Sequence, residues 1–334
     1  MIFSENRLFL IIYPLTFWII PWKCLLLQLM KYEELWKPLT NVYEPGEAKA
    51  IARYLLEVRY GLTMTDIVCG GVERLPEGEL EGLRNRLLKA EPVQYVAGLA
   101  TFGPRLFRVT NDVLIPRPET YELCQWVKEK RGERREERGE KGEDILDIGT
   151  GSGCIAVTLA AEIPHATVTA WDISGDALSI AKENAQRNGV HVTFEQRDIL
   201  STVNSQLSTL NCQLSTVTPL WSIIVSNPPY ICPDEQKTMD KNVLAYEPHL
   251  ALFVPQAEPL LFYQAISHYA RHALKPDGYL YFEANPLYIE ELQVLLCQEG
   301  FNDIAVRDDQ FGRHRFIMGR KGHQETTAYE KDIF

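Results

Sequence analysis

From residue 145 onward, short apolar runs alternate with helical stretches, and this alternation limits the possible folds more than any other feature of the chain. The strand-like runs are 145–148, 168–172, 192–194, 223–226, 279–282, 304–306 and 315–318, and helical segments at 154–162, 175–188, 259–274 and 287–299 fall between them. Strands separated by helices of this length predict an α/β fold, with a mainly parallel seven-stranded sheet covered by helices on both faces. In such sheets a ligand binds at the carboxyl ends of the strands. Functional residues are therefore sought where each apolar run stops.

The rest of the chain is organised around this region. Residues 30–90 are helical in character: Ala48, Ile51, Ala52, Leu55 and Leu56 recur at helical spacing after Pro45-Gly46, and Leu80, Leu83, Leu87 and Leu88 do so after Pro76. Residues 91–118 are expected to form a β-hairpin connector, with strand-like runs at 101–109 and 113–115 around the turn pair Asn111-Asp112, ending at Pro116-Arg117-Pro118. The catalytic-type region is expected over 119–320, followed by a polar tail from 321 to 334. Residues 128–143 hold thirteen charges, seven basic and six acidic, and are expected to be a solvated helix end and loop. A tandem heptad within 204–217 places Leu207, Leu210, Leu214 and Val217 at coiled-coil spacing. Two heptads are too few for a coiled coil, so the segment is expected to be a low-complexity insertion in a surface loop.

An apolar run at 8–20 stands apart from this soluble pattern. Pro14, Pro21 and Lys23 interrupt it as a membrane span, and no alanine precedes Ala48 to form a small-residue cleavage site. The expectation is that translation starts at Met30 and that residues 1–29 are upstream sequence read in frame; membrane contact is expected only if they are genuine. Seven cysteines lie far apart in sequence, without a CxxC pair or zinc spacing, which fits a reducing cytoplasm. No metal site is expected. The formal net charge is −11, and residues 1–29 do not cause it, since they carry Glu5 against Arg7 and Lys23. A chain this acidic has no broad basic surface for nucleic acid, and no stable nucleic-acid binding is expected.

Chemistry is concentrated at three strand ends. The first strand runs directly into Gly149-Thr150-Gly151-Ser152-Gly153 and then a helix, a turn that lets a ligand approach backbone N–H groups at a helix N-terminus. The spacing departs from the dinucleotide fingerprint, because Cys154 stands where its last glycine belongs. Asp172 ends the second strand, placed to accept from a ribose diol. Asn227-Pro228-Pro229-Tyr230 ends the fourth. Its two prolines remove donors and leave carbonyls, Asn227 adds another, and Tyr230 supplies a flat face, a combination that suits a planar –NH2 group.

With these residues on the page, the chain resembles the class I S-adenosylmethionine-dependent methyltransferases that alkylate amino groups. The motif at 147–153, Asp172, Asp198 after the third strand and the tetrapeptide 227–230 carry the likeness. Residues 91–98 (Glu-Pro-Val-Gln-Tyr-Val-Ala-Gly), 114–120 (Leu-Ile-Pro-Arg-Pro-Glu-Thr), Tyr246-Glu247-Pro248 and Ala251-Leu252 narrow it to the peptide chain release factor glutamine methyltransferases, the HemK family. The likeness covers about Met30 to Arg320.

That resemblance implies a Rossmann-like class I methyltransferase fold with a small N-terminal helical domain that grips a protein substrate. It implies S-adenosyl-L-methionine as cofactor, S-adenosyl-L-homocysteine as product, and the glutamine of the Gly-Gly-Gln loop of bacterial class I release factors as acceptor. By the same resemblance, residues Gly149 to Gly153 face the methionine part of the cofactor, Asp172 holds the ribose, Asp198 with Ile199 borders the adenine, and Asn227, Pro228, Pro229 and Tyr230 form the catalytic set, with Asn227 also touching the cofactor. Glu119 and Glu247 are candidates either for the cleft border or for salt bridges. None of the seven histidines has catalytic spacing. Competing readings are N6-adenine methylation of DNA or RNA, glutamine methylation of a ribosomal protein, and a cofactor-binding scaffold or membrane-tethered adaptor without catalysis.

Overall fold

The structure is a computed structural model that describes residues 32–138, 142–203 and 219–322. The expectations for 1–29, for the insertion at 204–217 and for nearly all of the polar tail therefore lie outside the described residues. Among the described residues no helix is long and apolar enough to cross a membrane. The chain divides into two compact units, one ending at Ala97 and the other beginning at Gly98.

The first unit is helical. Helix α1 (Pro45–Tyr60) begins with Pro45 at its first turn and ends on Gly61 in the left-handed region, so the Pro-Gly pair opens the helix rather than preceding it. Helix α2 (Met64–Val68) is opened by a capping box between Thr63 and Asp66. Helices α3 (Glu77–Leu87) and α4 (Val93–Ala97) complete the unit. Ala48, Leu55, Leu83, Leu87, Val96 and Ala97 share one buried cluster, so α4 packs within this unit, whereas the sequence reading had begun the connector at Glu91. Helical spacing at 48–56 and 80–88 is thus the spacing of a real core face.

The second unit opens with a hairpin of β1 (Leu99–Phe102) and β2 (Arg105–Arg108), turned at Gly103-Pro104. Residues 113–115 were expected to be a strand and are not: Val113 N–H closes a turn onto Thr110, and Ile115 N–H donates to a carboxylate of Glu247, which takes the segment out of any sheet. Helix α5 (Pro118–Arg138) follows and carries the helix well into the charged run. The main sheet then contains β3 (Asp144–Ile148), β4 (Thr167–Asp172), β5 (Thr193–Gln196), β6 (Trp221–Ser226), β7 (Leu274–Glu283), β8 (Phe301–Asp308) and β9 (His314–Lys321) in the order β5-β4-β3-β6-β7-β9-β8. Strands β5 to β7 are parallel, and β9 runs antiparallel to both β7 and β8.

Both faces of this sheet are covered, as the near-continuous apolar runs require. Ile145, Val168, Ala170, Ile223, Val225 and Tyr281 pack with α5 and with α6 (Cys154–Glu162) on one side, where α7 (Gly175–Arg187) adds Ala185. Leu146, Ile148, Trp171, Ile224, Leu280 and Phe282 pack on the other side, against residues of α10 (Leu261–Ala273) and α11 (Ile289–Gln298). Two short helices, α8 (Lys241–Tyr246) and α9 (His249–Leu252), occupy the excursion after β6. Strand order reverses at β3, which has β4 on one side and β6 on the other, so the crevice for a ligand opens above β3, β4 and β6.

One buried side chain joins the hairpin to this crevice. Asn184 of α7, fully buried, accepts from Arg108 N at 2.6 Å and donates to Arg108 O at 2.9 Å and to Ser152 O at 2.9 Å. Its amide is spent entirely on backbone groups of the hairpin and the glycine loop. Replacing Asn184 by Ala orphans those groups, and we expect a loss of about 2–4 kcal/mol in urea-induced unfolding. A loss below about 0.5 kcal/mol, the ordinary cost of a surface change, would show that the clamp is not needed.

Candidate active site

The glycine loop is fixed from both ends. Gly149 and Thr150 both donate their N–H to Trp171 O at 2.9 Å, and Gly153 N–H turns back onto Thr150 O. Below the loop, buried Asp147 accepts from Thr150 Oγ1 at 2.6 Å and from Ala156 N at 3.2 Å. Burial pushes the Asp147 carboxyl up to about 7, although both hydrogen bonds favour the ionised form. Gly151 and Gly153 have φ of +53° and +79°, in the left-handed region that L side chains rarely adopt. A Cβ on Gly153 would also stand 3.0 Å from Ala181 Cβ of α7. Gly153 thus does the close helix packing that the dinucleotide fingerprint assigns to a glycine at the next position, which frees that position for Cys154.

Asp172 closes the next strand. Its carboxylate accepts from Gly151 N at 2.8 Å and Ser174 N at 2.9 Å, and burial raises its pKa above the ordinary value. Asp198 is placed differently from a free ligand-holding acid: its Oδ1 accepts from Leu200 N at 2.9 Å and its Oδ2 from Ser201 Oγ at 2.5 Å, so it opens the helical turn at 199–203. Even so, Asp198 and Ile199 line the same cavity as Gly149, Thr150, Gly151, Ser152 and Asp172. That cavity has a volume of about 440 Å³ and extends to Asn227, Pro228 and Pro229. Gly153, by contrast, does not line it; it supports the loop from behind.

Tyr230 lies in a second cavity of about 300 Å³, walled by Ile231, Met239, Val243 and Leu252 and closed by Glu283. Leu114, Arg117, Asn227, Pro228 and Ala251 line both cavities, so Asn227 and Pro228 stand in the partition. Asn227 Nδ2 donates to Thr120 Oγ1 at 3.3 Å, and its Oδ1 has no partner among the described residues. The Tyr230 hydroxyl donates to Glu283 Oε1 at 3.2 Å, and burial raises its pKa far above the ordinary phenol value. The sequence-predicted residues are therefore brought together as two neighbouring chambers that meet at Asn227 and Pro228.

A methyltransferase-domain family matches residues 139–299. A release factor glutamine methyltransferase of Bacteroides thetaiotaomicron is 40% identical over 287 residues, covering 85% of this chain and 96% of that protein. Proteins of the same name from Flavobacterium psychrophilum and Chlorobaculum tepidum are each 38% identical, covering 84% and 79% of this chain and 94% and 87% of theirs. The chain belongs to the release factor glutamine methyltransferase family. It is an α/β enzyme with the Rossmann-like methyltransferase fold.

Several residues around these cavities were quoted in the sequence without a settled role. The segment 111–117 supplies a wall of the larger cavity, and Glu247 holds it there: its buried carboxylate accepts from Ile115 N and, at 2.5 Å, from Arg117. Of the two alternatives open for Glu247, the salt bridge is realised, and Glu247 itself lines neither cavity. Thr120 was quoted only within 114–120 and given no role of its own, and Glu283 was not quoted. The only local signal was the position of each, Thr120 just inside a helix start and Glu283 at the end of a strand.

Asp147 sets a pH dependence whose sign follows from its raised pKa. The folded protein holds the proton up to about pH 7 while the unfolded chain releases it near 4, so this contribution to stability is full below pH 4 and is lost as pH rises through 7. Comparing unfolding of wild type and Asp147→Asn from pH 4 to 8, we expect the variant to gain relative stability as pH rises. Parallel curves would show that Asp147 is not held protonated.

Proposed function

We propose that the protein transfers a methyl group from S-adenosyl-L-methionine to the side-chain amide nitrogen of a glutamine in a bacterial class I release factor, in the cytoplasm. The relatives bear that name over nearly their full length. The observation that carries the reading on this chain is the partition: Asn227, with Oδ1 unpartnered among the described residues, and Pro228 stand between a chamber of cofactor size and a smaller one lined by both apolar and polar residues.

The larger chamber fits the cofactor by its donor and acceptor set. Gly149 and Gly151 leave their Cβ directions open, the helix Cys154–Glu162 begins beside them, and Asp172 retains acceptor capacity for a ribose diol. Asp198 and Ile199 wall the end assigned to the adenine. When bound, S-adenosylmethionine supplies an electrophilic sulfonium methyl group.

The chain's own task is to present a poor nucleophile. A carboxamide nitrogen shares its lone pair with its carbonyl, and it attacks well only when held at short distance and correct angle. Asn227 Oδ1 and the Pro228 carbonyl accept its two N–H bonds, which turns the face of the amide toward the methyl. Tyr230 forms the wall behind. Positioning of this kind can supply roughly 7–11 kcal/mol. The methylated amide is a strong acid at that moment and gives up its extra proton without a dedicated base. Residues 30–90 grip the body of the protein substrate.

The test is intact-mass analysis of purified release factor after incubation with the protein and cofactor. Wild type should add one methyl group. Asn227→Ala should slow transfer at least about 100-fold, while its affinity for the cofactor changes little. Full activity of that variant, or methyl incorporation into nucleic acid and not into release factor, would overturn the reading.

A further inference from the structure

Asn227 is useful only if its amide is the right way round. With Oδ1 toward the smaller chamber the site accepts N–H donors; with Nδ2 there it repels them. Three buried groups decide the matter. Glu283, at the end of β7, is 3% exposed and Thr120, in the first turn of α5, is 2% exposed. Thr120 Oγ1 donates to Glu283 Oε2 at 2.6 Å. That donation uses the single hydroxyl proton of Thr120. Toward Asn227, 3.3 Å away, Thr120 can then only accept, so the –NH2 side of Asn227 faces Thr120 and Oδ1 faces away.

Glu283 is itself held from several sides. Its Oε1 accepts from Tyr230 OH at 3.2 Å, and its backbone carbonyl accepts from Tyr263 OH at 3.2 Å. Tyr263 OH in turn accepts from Asn285 N at 3.3 Å. One carboxylate therefore anchors both Tyr230 and, through Thr120, Asn227, the two ends of the sequence-predicted tetrapeptide.

We propose that Thr120, held by Glu283, is a positioning residue: it fixes the Asn227 amide with Oδ1 toward the substrate chamber and so makes the site selective for an N–H donor. The assignment rests on the glutamine reading above for its consequence in catalysis. The orientation of Asn227 does not depend on that reading.

Two substitutions separate hydrogen bonding from packing. Thr120→Val keeps the shape and removes the hydroxyl; Thr120→Ser keeps the hydroxyl and removes a methyl. With release factor as substrate and below the melting temperature of each variant, Thr120→Val is expected to lower kcat about 10- to 100-fold at unchanged cofactor affinity, with a lowered melting temperature because Glu283 loses a donor, while Thr120→Ser stays near wild type in both. The opposite order, valine active and serine impaired, would mean a packing role and overturn the proposal. A second readout needs no turnover: nitrogen-15 NMR of the Asn227 side-chain –NH2, assigned by its loss in Asn227→Asp. Its proton exchange should be slow in wild type and Thr120→Ser and fast in Thr120→Val. Glu283→Gln should shift the same resonances, and unchanged resonances there would remove Glu283 from the relay. If wild type leaves release factor unmethylated while the NMR pattern holds, the substrate reading falls and the positioning stands.

Discussion

Carboxylates placed out of water at the sheet's carboxyl edge organise everything above it. Asp147 in β3, Asp172 at the end of β4 and Glu283 at the end of β7 are buried or nearly so, and each carries a pKa raised by burial. A charge in such a place costs several kcal/mol unless donors converge on it. The donors come from the loops: Thr150 and Ala156 for Asp147, Gly151 and Ser174 for Asp172, Thr120 and Tyr230 for Glu283. Glu247, in the excursion after β6, adds a fourth case by drawing in Ile115 and Arg117. Satisfying the acids and shaping the site are one event, because the segments that donate are those that line the two chambers.

This arrangement explains which parts of the site were legible in the sequence. Residues 147–153, Asp172 and 227–230 each sit where an apolar run stops, and the strand order puts those stops side by side. Local pattern and topology were enough to find them. Thr120 and Glu283 are 163 residues apart in sequence, and Thr120 and Asn227 are 107 apart. No spacing rule links such positions, since the link is made where the first turn of α5 meets the end of β7. The two alternatives for Glu247 stay open in the sequence for the same reason, its partner at Arg117 being 130 residues away.

The misread elements have equally physical causes. Val113-Leu114-Ile115 looks like a strand because all three are apolar, yet its apolarity serves the cavity wall, and the carboxylate of Glu247 takes the Ile115 N–H that a sheet neighbour would have used. The fingerprint mismatch at Cys154 proved harmless because the need for a small residue belongs to the contact with Ala181, which Gly153 makes one position earlier. Asp198 lines the cavity as part of a wall, because its carboxylate is engaged at the start of the helical turn 199–203, which no strand-end pattern shows.

Selectivity at the partition follows from donor counting rather than from charge. Two prolines strip the loop of N–H groups, and Asn227 presents its carbonyl because Thr120 has no proton left to offer it. The carbonyls of Asn227 and Pro228 let a neutral –NH2 approach and oppose the lone pairs of a carboxylate. Leu114, Ile231, Val243 and Leu252 around the smaller chamber suit an aliphatic stem behind such a group. The chemical demand of the reaction, a neutral nitrogen delivered face-on, is therefore written in what the loop lacks as much as in what it carries.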